Sequence, residues 1–191
     1  MFSVFKKIGV FFLDIIQIIV FALSIFIVVY LFLFQPHKVK GNSMYPNFHN
    51  GDLILTDRIS YRFTSPKRGD VIVFKAPPSE PCSEIECEYI KRIIGVPGDL
   101  VKISEGKVYI NDQPLNESYL PKNLITSPGS FLKENQTVKI PEDEYLPLGD
   151  NRPQSRDGRE FGTISRSRIV GKAILRYWPF KSFKLIKRVN Y

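Results

Sequence analysis

Histidine and cysteine are almost missing from this sequence. Among its 191 residues, only His37, His49, Cys82 and Cys87 carry an imidazole or a thiol. A structural zinc site needs about four such ligands in one place, and the histidines lie far upstream of the cysteines, so no zinc site is expected. Cys82 and Cys87 stand in "CSEIEC" with four residues between them. A small disulfide in an oxidising compartment and a pair of free thiols both fit that spacing. Acidic residues are also short, 19 against 27 Lys and Arg, which leaves a net charge of +8. The first 35 residues supply only +1 of this, from Lys6, Lys7 and Asp14, so +7 belongs to the remainder. Such a surface suits anionic lipid or nucleic acid, but no nucleic-acid motif is present.

Long apolar runs are absent after residue 36. Before it there is one: residues 15–34 carry no formal charge and are broken only by Gln17, Ser24 and Tyr30. As a helix, 20 residues reach roughly 30 Å, one hydrocarbon thickness. A cleaved leader would have an apolar core of about 7–15 residues ending in a small-x-small site. The following "QPHKVKG" offers none, so an uncleaved anchor is expected. Asp14, at the start of the run, can sit at headgroup level. Lys6 and Lys7 before the span nearly balance His37, Lys38 and Lys40 after it, so charge does not settle the orientation. Residues 36–191 then form a single domain on one side of the membrane.

Sustained helical periodicity is missing from that domain. "DLILTDRI", "DVIVFKA", "EYIKRIIGV", "LVKISEGKVYIND" and "GKAILRYW" are short, rich in Val, Ile and Tyr, and punctuated by Gly or Pro, which predicts strands. "VKISEGKVYI" reads as a hairpin turning near Gly106. The expected fold is mainly β, a partly closed, barrel-like sheet assembly behind one transmembrane helix. Residues 111–136, with Pro114, Pro121, Pro128 and Gly129, are expected to form a long loop or small subdomain. The tail "YWPFKSFKLIKRVNY" fits either a final strand with a basic face or a segment lying at a membrane interface.

The scarcity of histidine shapes the chemistry. In "GNSMYPNF", Ser43 follows the apolar run closely, and a serine hydroxyl attacks well only when a base takes its proton. Ser43, His49 and Asp52 could be written as a triad, but all three come from one ten-residue loop, a poor way to fix geometry, and a surface histidine is the better reading. A lysine can be the base if burial moves its pKa from about 10.4 toward 7–8. Lys91 lies in the apolar "YIKRIIGV". Strand alternation groups it with Tyr89 and Ile93, opposite Ile90, Arg92 and Ile94. In "GDNRPQSRDGREFG" the bland reading is a solvated loop; the functional one has Ser155 bonding a buried amine while Asp157 and Arg159 pair to brace it.

Taken in order, these stretches resemble bacterial type I signal peptidase, the membrane-bound serine protease that removes leader peptides. "GNSMYPNF" is similar to the family's Ser-Met-x-Pro segment and implies Ser43 as nucleophile and, through its N–H, oxyanion donor. "GDLILTDRISYRF" follows where the family has its next strand. "RGDVIVFKAP" and "YIKRIIGVPGD" resemble the segment with the general-base lysine, Lys91. "GDNRPQSRDGREFG" resembles the Gly-Asp-Asn-Arg segment and implies Ser155 as the hydroxyl that orients the lysine, with Asp157 and Arg159 as an ion pair. The resemblance implies a Ser/Lys dyad with no metal or cofactor. It implies a cytoplasmic N-terminus and anchor over 1–35, and a β-rich peptidase domain over 36–191 outside the cytoplasmic membrane. Its partners would be signal-peptide-bearing preproteins and membrane phospholipids, not nucleic acid, and it is expected to work as a monomer. The substrate strand would lie beside Val39, Lys40 and Gly41 and beside Tyr89 and Ile90. Two positions depart from the family pattern: Gly41 stands where some members have a serine that helps hold the oxyanion, and Pro153 where many have an acidic residue. The rival readings are another Ser/Lys protease, such as a self-cleaving repressor, and a catalytically silent anchored β domain that binds anionic lipid.

Overall fold

The computed structural model describes residues 2–82, 87–189 and 191, with side chains from residue 9 onward. Helix α1 (Phe2–Leu33) opens the chain. It is longer than the charge-free run predicts because Val10–Leu13 continue the apolar sequence and the helix propagates through Asp14. Its apolar part, Gly9–Leu33, has a mean hydropathy of 2.9 and is not buried inside the protein, meeting the rest of the chain only at its C-terminal end, where Leu33 O accepts from Arg58 N–H (3.1 Å). The 20 residues from Asp14 to Leu33 suffice to cross roughly 30 Å, which leaves Asp14 at a boundary.

Strand β1 (Phe34–Lys38) follows without a loop, then β2 (Leu53–Asp57), the one-turn helix α2 (Ser60–Phe63), β3 (Val71–Lys75), β4 (Glu88–Gly95), β5 (Leu100–Ser104), β6 (Lys107–Ile110), β7 (Gln113–Pro114), β8 (Val138–Lys139), β9 (Glu144–Leu148), the one-turn helix α3 (Gly158–Phe161), β10 (Ile164–Ser165), β11 (Ile169–Trp178) and β12 (Lys184–Leu185). Each of the five predicted strand segments holds at least one of these strands, and β5 and β6 form the predicted hairpin. The larger sheet runs β1-β2-β11-β3-β4-β9-β10, with β12 added to β11. It is curled and open, a half-barrel rather than a closed one. The smaller sheet runs β7-β6-β5-β8. Residues 111–136 carry β7 and otherwise turns and irregular chain.

Both faces of β3 are covered, which is why "VIVF" is a continuous apolar run rather than an alternating one. Val71 and Val73 pack with Val39, Met44, Phe48 and Ile54 beneath the "GNSMYPNF" loop. Ile72 and Phe74 pack with Ile93, Tyr145 and Ile164 on the other side. A third cluster joins Val101, Ile103 and Val108 of the small sheet to Leu146 and Leu148 of β9. Cys82 and Cys87 form a disulfide, which decides between the two states the spacing allowed; residues 83–86 lie outside the described residues. The tail turns back as β12 against β11, leaving Trp178, Phe180, Phe183 and Leu185 on the surface.

Candidate active site

Ser43 sits in the turn between β1 and β2. The turn is anchored below by Met44 and Phe48, both buried, and at its ends by Val39 N–H donating to Asp52 O (2.8 Å) and Gly51 N–H donating to Val39 O (2.8 Å). Gly41 adopts φ +81°, a conformation that costs an L residue about 1–2 kcal/mol. That penalty accounts physically for glycine there. Among the described residues, Ser43 N–H has no hydrogen-bond partner.

Lys91 lies on β4, paired across the sheet with Ile72. Its Nζ is 2.6 Å from Ser43 Oγ and 5.4 Å from the centre of the Tyr89 ring. The residue is only 4% exposed, and no carboxylate lies within ion-pair distance among the described residues. Burial lowers its pKa from the ordinary value to about 8, against the opposing fields of Asp157, Asp150 and Glu80. A cation buried without a partnering anion is driven toward its neutral form, and a neutral amine beside a hydroxyl is a base beside a nucleophile.

The "GDNRPQSRDGREFG" segment closes over the pair. Asn151 N–H donates to Ser43 O (3.0 Å), and its Nδ2 donates to Asn42 O (3.0 Å). Gly149 packs so tightly that an added Cβ would lie 2.0 Å from Ser155 Oγ and 2.5 Å from Ser43 O; only glycine allows that approach. Asp157 accepts from Gly149 N–H (2.9 Å) and from Arg159 Nε (2.8 Å) and Nη2 (3.0 Å). Arg159 in turn ties down Arg152 O (2.7 Å) and Ser155 O (3.0 Å). Ser155 Oγ is buried and has no hydrogen-bond partner among the described residues; the Lys91 bond goes to Ser43 instead.

His49 is not drawn into this arrangement. Its side chain is 56% exposed and its Nδ1 is 3.9 Å from Asp52. The Asp52 carboxylate is engaged instead by His49 N–H (2.9 Å) and Arg176 Nη1 (3.0 Å).

Sequence reasoning gave no role to Asp150, Asn151 or Arg92. Arg92 grips Asp150 through Nε (2.9 Å) and Nη2 (2.7 Å), Asn47 Nδ2 adds a third bond to Asp150 (2.8 Å), and the guanidinium stacks 4.2 Å from the Tyr119 ring centre. The signal available was an Asp-Asn pair directly ahead of the arginine in the third stretch, but its partners lie 58 and 103 positions away in the chain.

A groove of about 460 Å³ opens at Ser43. Val39, Lys40, Ile54 and Val73 line it with Tyr89, Ile90 and Lys91. Two strand edges border it. β1 is the last strand of its sheet, and β4 pairs with β9 only from Arg92 onward. A close His37 Nε2 to Glu88 Oε2 contact, 2.9 Å, spans the gap between those strands.

A groove ending at a serine held against a buried amine has the layout of an acyl-transfer hydrolase. Residues 12–178 match the family described as "Signal peptidase, peptidase S26". The chain is 37% identical over 148 residues to "Probable signal peptidase I-2" of Synechocystis sp., covering 78% of this chain and 65% of that one. It is 36% identical over 174 residues to "Signal peptidase IB" of Staphylococcus aureus, covering 85% and 87%. A crystal structure of a signal peptidase I from Enterococcus faecalis V583 aligns at 30% identity with a TM-score of 0.46, over 57% of this chain and 97% of that one. The chain belongs to the signal peptidase family, peptidase S26, a family of serine-protease hydrolases. Its N-terminal apolar helix fits a membrane-anchored enzyme.

Proposed function

We propose that the chain removes N-terminal signal peptides from exported preproteins, with Ser43 as nucleophile and Lys91 as general base. The observation that carries this reading is the 2.6 Å contact between Ser43 Oγ and a buried Lys91 amine at the end of an open groove. Neutral Lys91 accepts the Ser43 proton as Oγ attacks the scissile carbonyl. The free Ser43 N–H stabilises the oxyanion. The ammonium then protonates the departing amine, and water, deprotonated by the same lysine, hydrolyses the acyl-enzyme.

Ser155 has a place in this cycle. A buried hydroxyl without a partner is rare, and an ammonium has three donors, of which Ser43 uses one. Ser155 Oγ is the acceptor that keeps Lys91 oriented once Ser43 is acylated. Asp157 and Arg159 act through it as positioning residues, since Arg159 holds the Ser155 carbonyl. The leader's C-terminal residues lie extended between the edges at Val39, Lys40 and Gly41 and at Tyr89 and Ile90, adding a strand to both. Small apolar side chains fit against Val39, Ile54, Val73 and Ile90.

In this reading, residues 1–35 place the N-terminus in the cytoplasm and anchor the chain, and 36–191 form the extracytoplasmic peptidase domain, working as a monomer beside the lipid. The anchor ends at Leu33 and the nucleophile is Ser43, so a leader leaving the bilayer meets the site close to the membrane surface. The test is cleavage of a leader-bearing precursor in detergent or vesicles by wild type, Ser43→Ala, Lys91→Met and His49→Ala at equal folded concentration. Cleavage by wild type and the His49 variant alone supports the dyad. Cleavage by the Lys91 variant at the wild-type rate removes it.

A further inference from the structure

A second cavity, of about 540 Å³, opens beside the end of α1. Its wall carries Arg58, Arg62, Arg166, Arg168 and Lys75, against Glu88 as its carboxylate, and Glu88 already faces His37 at 2.9 Å. The reaction described above uses none of these cations. Two of the arginines are locked onto the backbone: Arg166 Nη2 donates to Tyr61 O (2.7 Å) and Thr64 O (3.2 Å), and Arg168 Nη1 donates to Ala76 O (2.8 Å). Carbonyls fix their geometry without neutralising their charge, and each guanidinium keeps further N–H groups to give. The side chains of Arg58 and Arg62 are exposed and have no hydrogen-bond or ion-pair partner among the described residues. Four guanidinium groups around one cavity repel each other unless an anion joins them, and the guanidinium fork matches phosphate oxygens.

The cavity's position narrows the choice of anion. Arg58 N–H donates to Leu33 O (3.1 Å), so the first residue after β2 is tied to the last residue of α1. Gln35, two residues beyond the apolar span, also lines the cavity. With α1 in the bilayer, the arginines sit at the depth of lipid phosphates. Phe63, next to Arg62 and 83% exposed, is an apolar side chain suited to that boundary and to no interior contact.

We propose that the cavity bounded by Arg58, Arg62, Arg166 and Arg168 binds the phosphate headgroup of an anionic membrane phospholipid. The proposal rests on α1 being the membrane anchor. The lipid would fix the height and tilt of the domain over the bilayer, and so the height of the groove whose wall shares Glu88 with this cavity.

The test uses the full chain in neutral detergent micelles, titrated calorimetrically with short-chain phosphatidylglycerol and, separately, phosphatidylcholine of the same chain length. Saturable binding of phosphatidylglycerol about tenfold tighter than of phosphatidylcholine is expected. Arg58→Gln/Arg62→Gln should weaken it about tenfold or more, while Lys122→Gln/Lys133→Gln, the same charge loss at exposed positions elsewhere, should leave it unchanged. Equal affinity for both lipids, or equal losses in both double variants, overturns the site. Displacement of the lipid by an equal concentration of inorganic phosphate or glycerol 3-phosphate would assign the cluster to a free phosphate and overturn the lipid headgroup. An unchanged lipid titration with a raised KM for preprotein would assign the arginines to substrate charge, with the same consequence. Flotation on phosphatidylcholine vesicles after an alkaline wash reports the anchor separately. A chain that floats without lipid preference loses the headgroup site, and one that binds phosphatidylglycerol selectively but fails to float loses the anchor and with it the assignment of the bound headgroup to the membrane.

Discussion

On β4 two basic side chains stand side by side, each 4% exposed, and their surroundings treat them in opposite ways. Arg92 turns to Asp150, which answers it with both carboxylate oxygens, and its pKa is raised. Lys91 turns to a hydroxyl, and burial pulls its pKa down to about 8. Depth is therefore not what separates a structural charge from a reactive one. Two features separate them: the guanidinium of Arg92 keeps its proton at any accessible pH and is matched by a buried anion, whereas the amine of Lys91 can lose its proton and, buried without an ion-pair partner, does so nearer neutral pH.

The sharpest way to break this comparison is to exchange the chemistry at 91. Lys91→Arg places a group that cannot deprotonate where the proposed mechanism puts its base. We expect a loss of roughly a thousandfold or more in kcat/KM, matched by Lys91→Met and Ser43→Ala, with circular dichroism unchanged. In wild type the acid limb of kcat/KM should have its midpoint near pH 8, because only the neutral amine is competent. A pH profile flat from 6 to 9 would mean that Lys91 does not carry the proton.

The partner residue should fail differently. Arg92→Met leaves Asp150 buried with only Asn47 and its own backbone neighbours for company, and breaking a buried pair this way costs about 3–5 kcal/mol. Urea melts should show the loss. Asp150→Asn/Arg92→Met together should cost less than the sum of the single changes, since neither orphan remains.

How much of this pair could be read in the sequence follows from the range of the forces involved. Strands, the hairpin and the anchor are local patterns, and β2, β3, β4 and β11 lie where alternation and turn residues put them. The fate of Lys91 and Arg92 is not local. Alternation alone gives one buried and one exposed residue, but β4 is covered on both faces and buries both. Telling them apart requires knowing that Asp150, 58 residues on, arrives on the arginine's side. Ser43 and Lys91 stand 48 residues apart: the apolar surroundings of Lys91 make it a candidate base, and the resemblance of four ordered motifs is what pairs it with Ser43. Ser155 shows the remaining limit: its segment was legible, but that its hydroxyl would be left without a partner was not.

Removing the other cation should have the opposite sign. Lys91→Met is expected to stabilise the fold at pH 7 even as it abolishes cleavage. Below about pH 8 wild-type Lys91 is buried charged, at a cost on the order of 3 kcal/mol for a pKa lowered from 10.5 to about 8. As pH rises from 8 to 10.5 the unfolded chain binds more protons than the folded one, so wild-type stability rises through that window. The gain of the Met variant over wild type should therefore be largest below pH 8 and shrink toward pH 10.5. A gain that does not change with pH would mean that packing, not charge, sets the difference.

The smallest effect is expected at the imidazole to which the proposed mechanism gives no role. His49 stacks edge-on against Tyr45 with ring centres 5.4 Å apart, more than half exposed and beyond hydrogen-bond distance of Asp52. Asp52 loses little when the ring goes, because it is held by the His49 backbone N–H, which alanine keeps, and by Arg176. His49→Ala should therefore leave kcat/KM within about twofold and stability within about 0.5 kcal/mol, the range of an ordinary surface change. A drop of a hundredfold with the fold intact would assign the proton to a histidine and remove the premise that Lys91, buried without an anion, is buried for its chemistry.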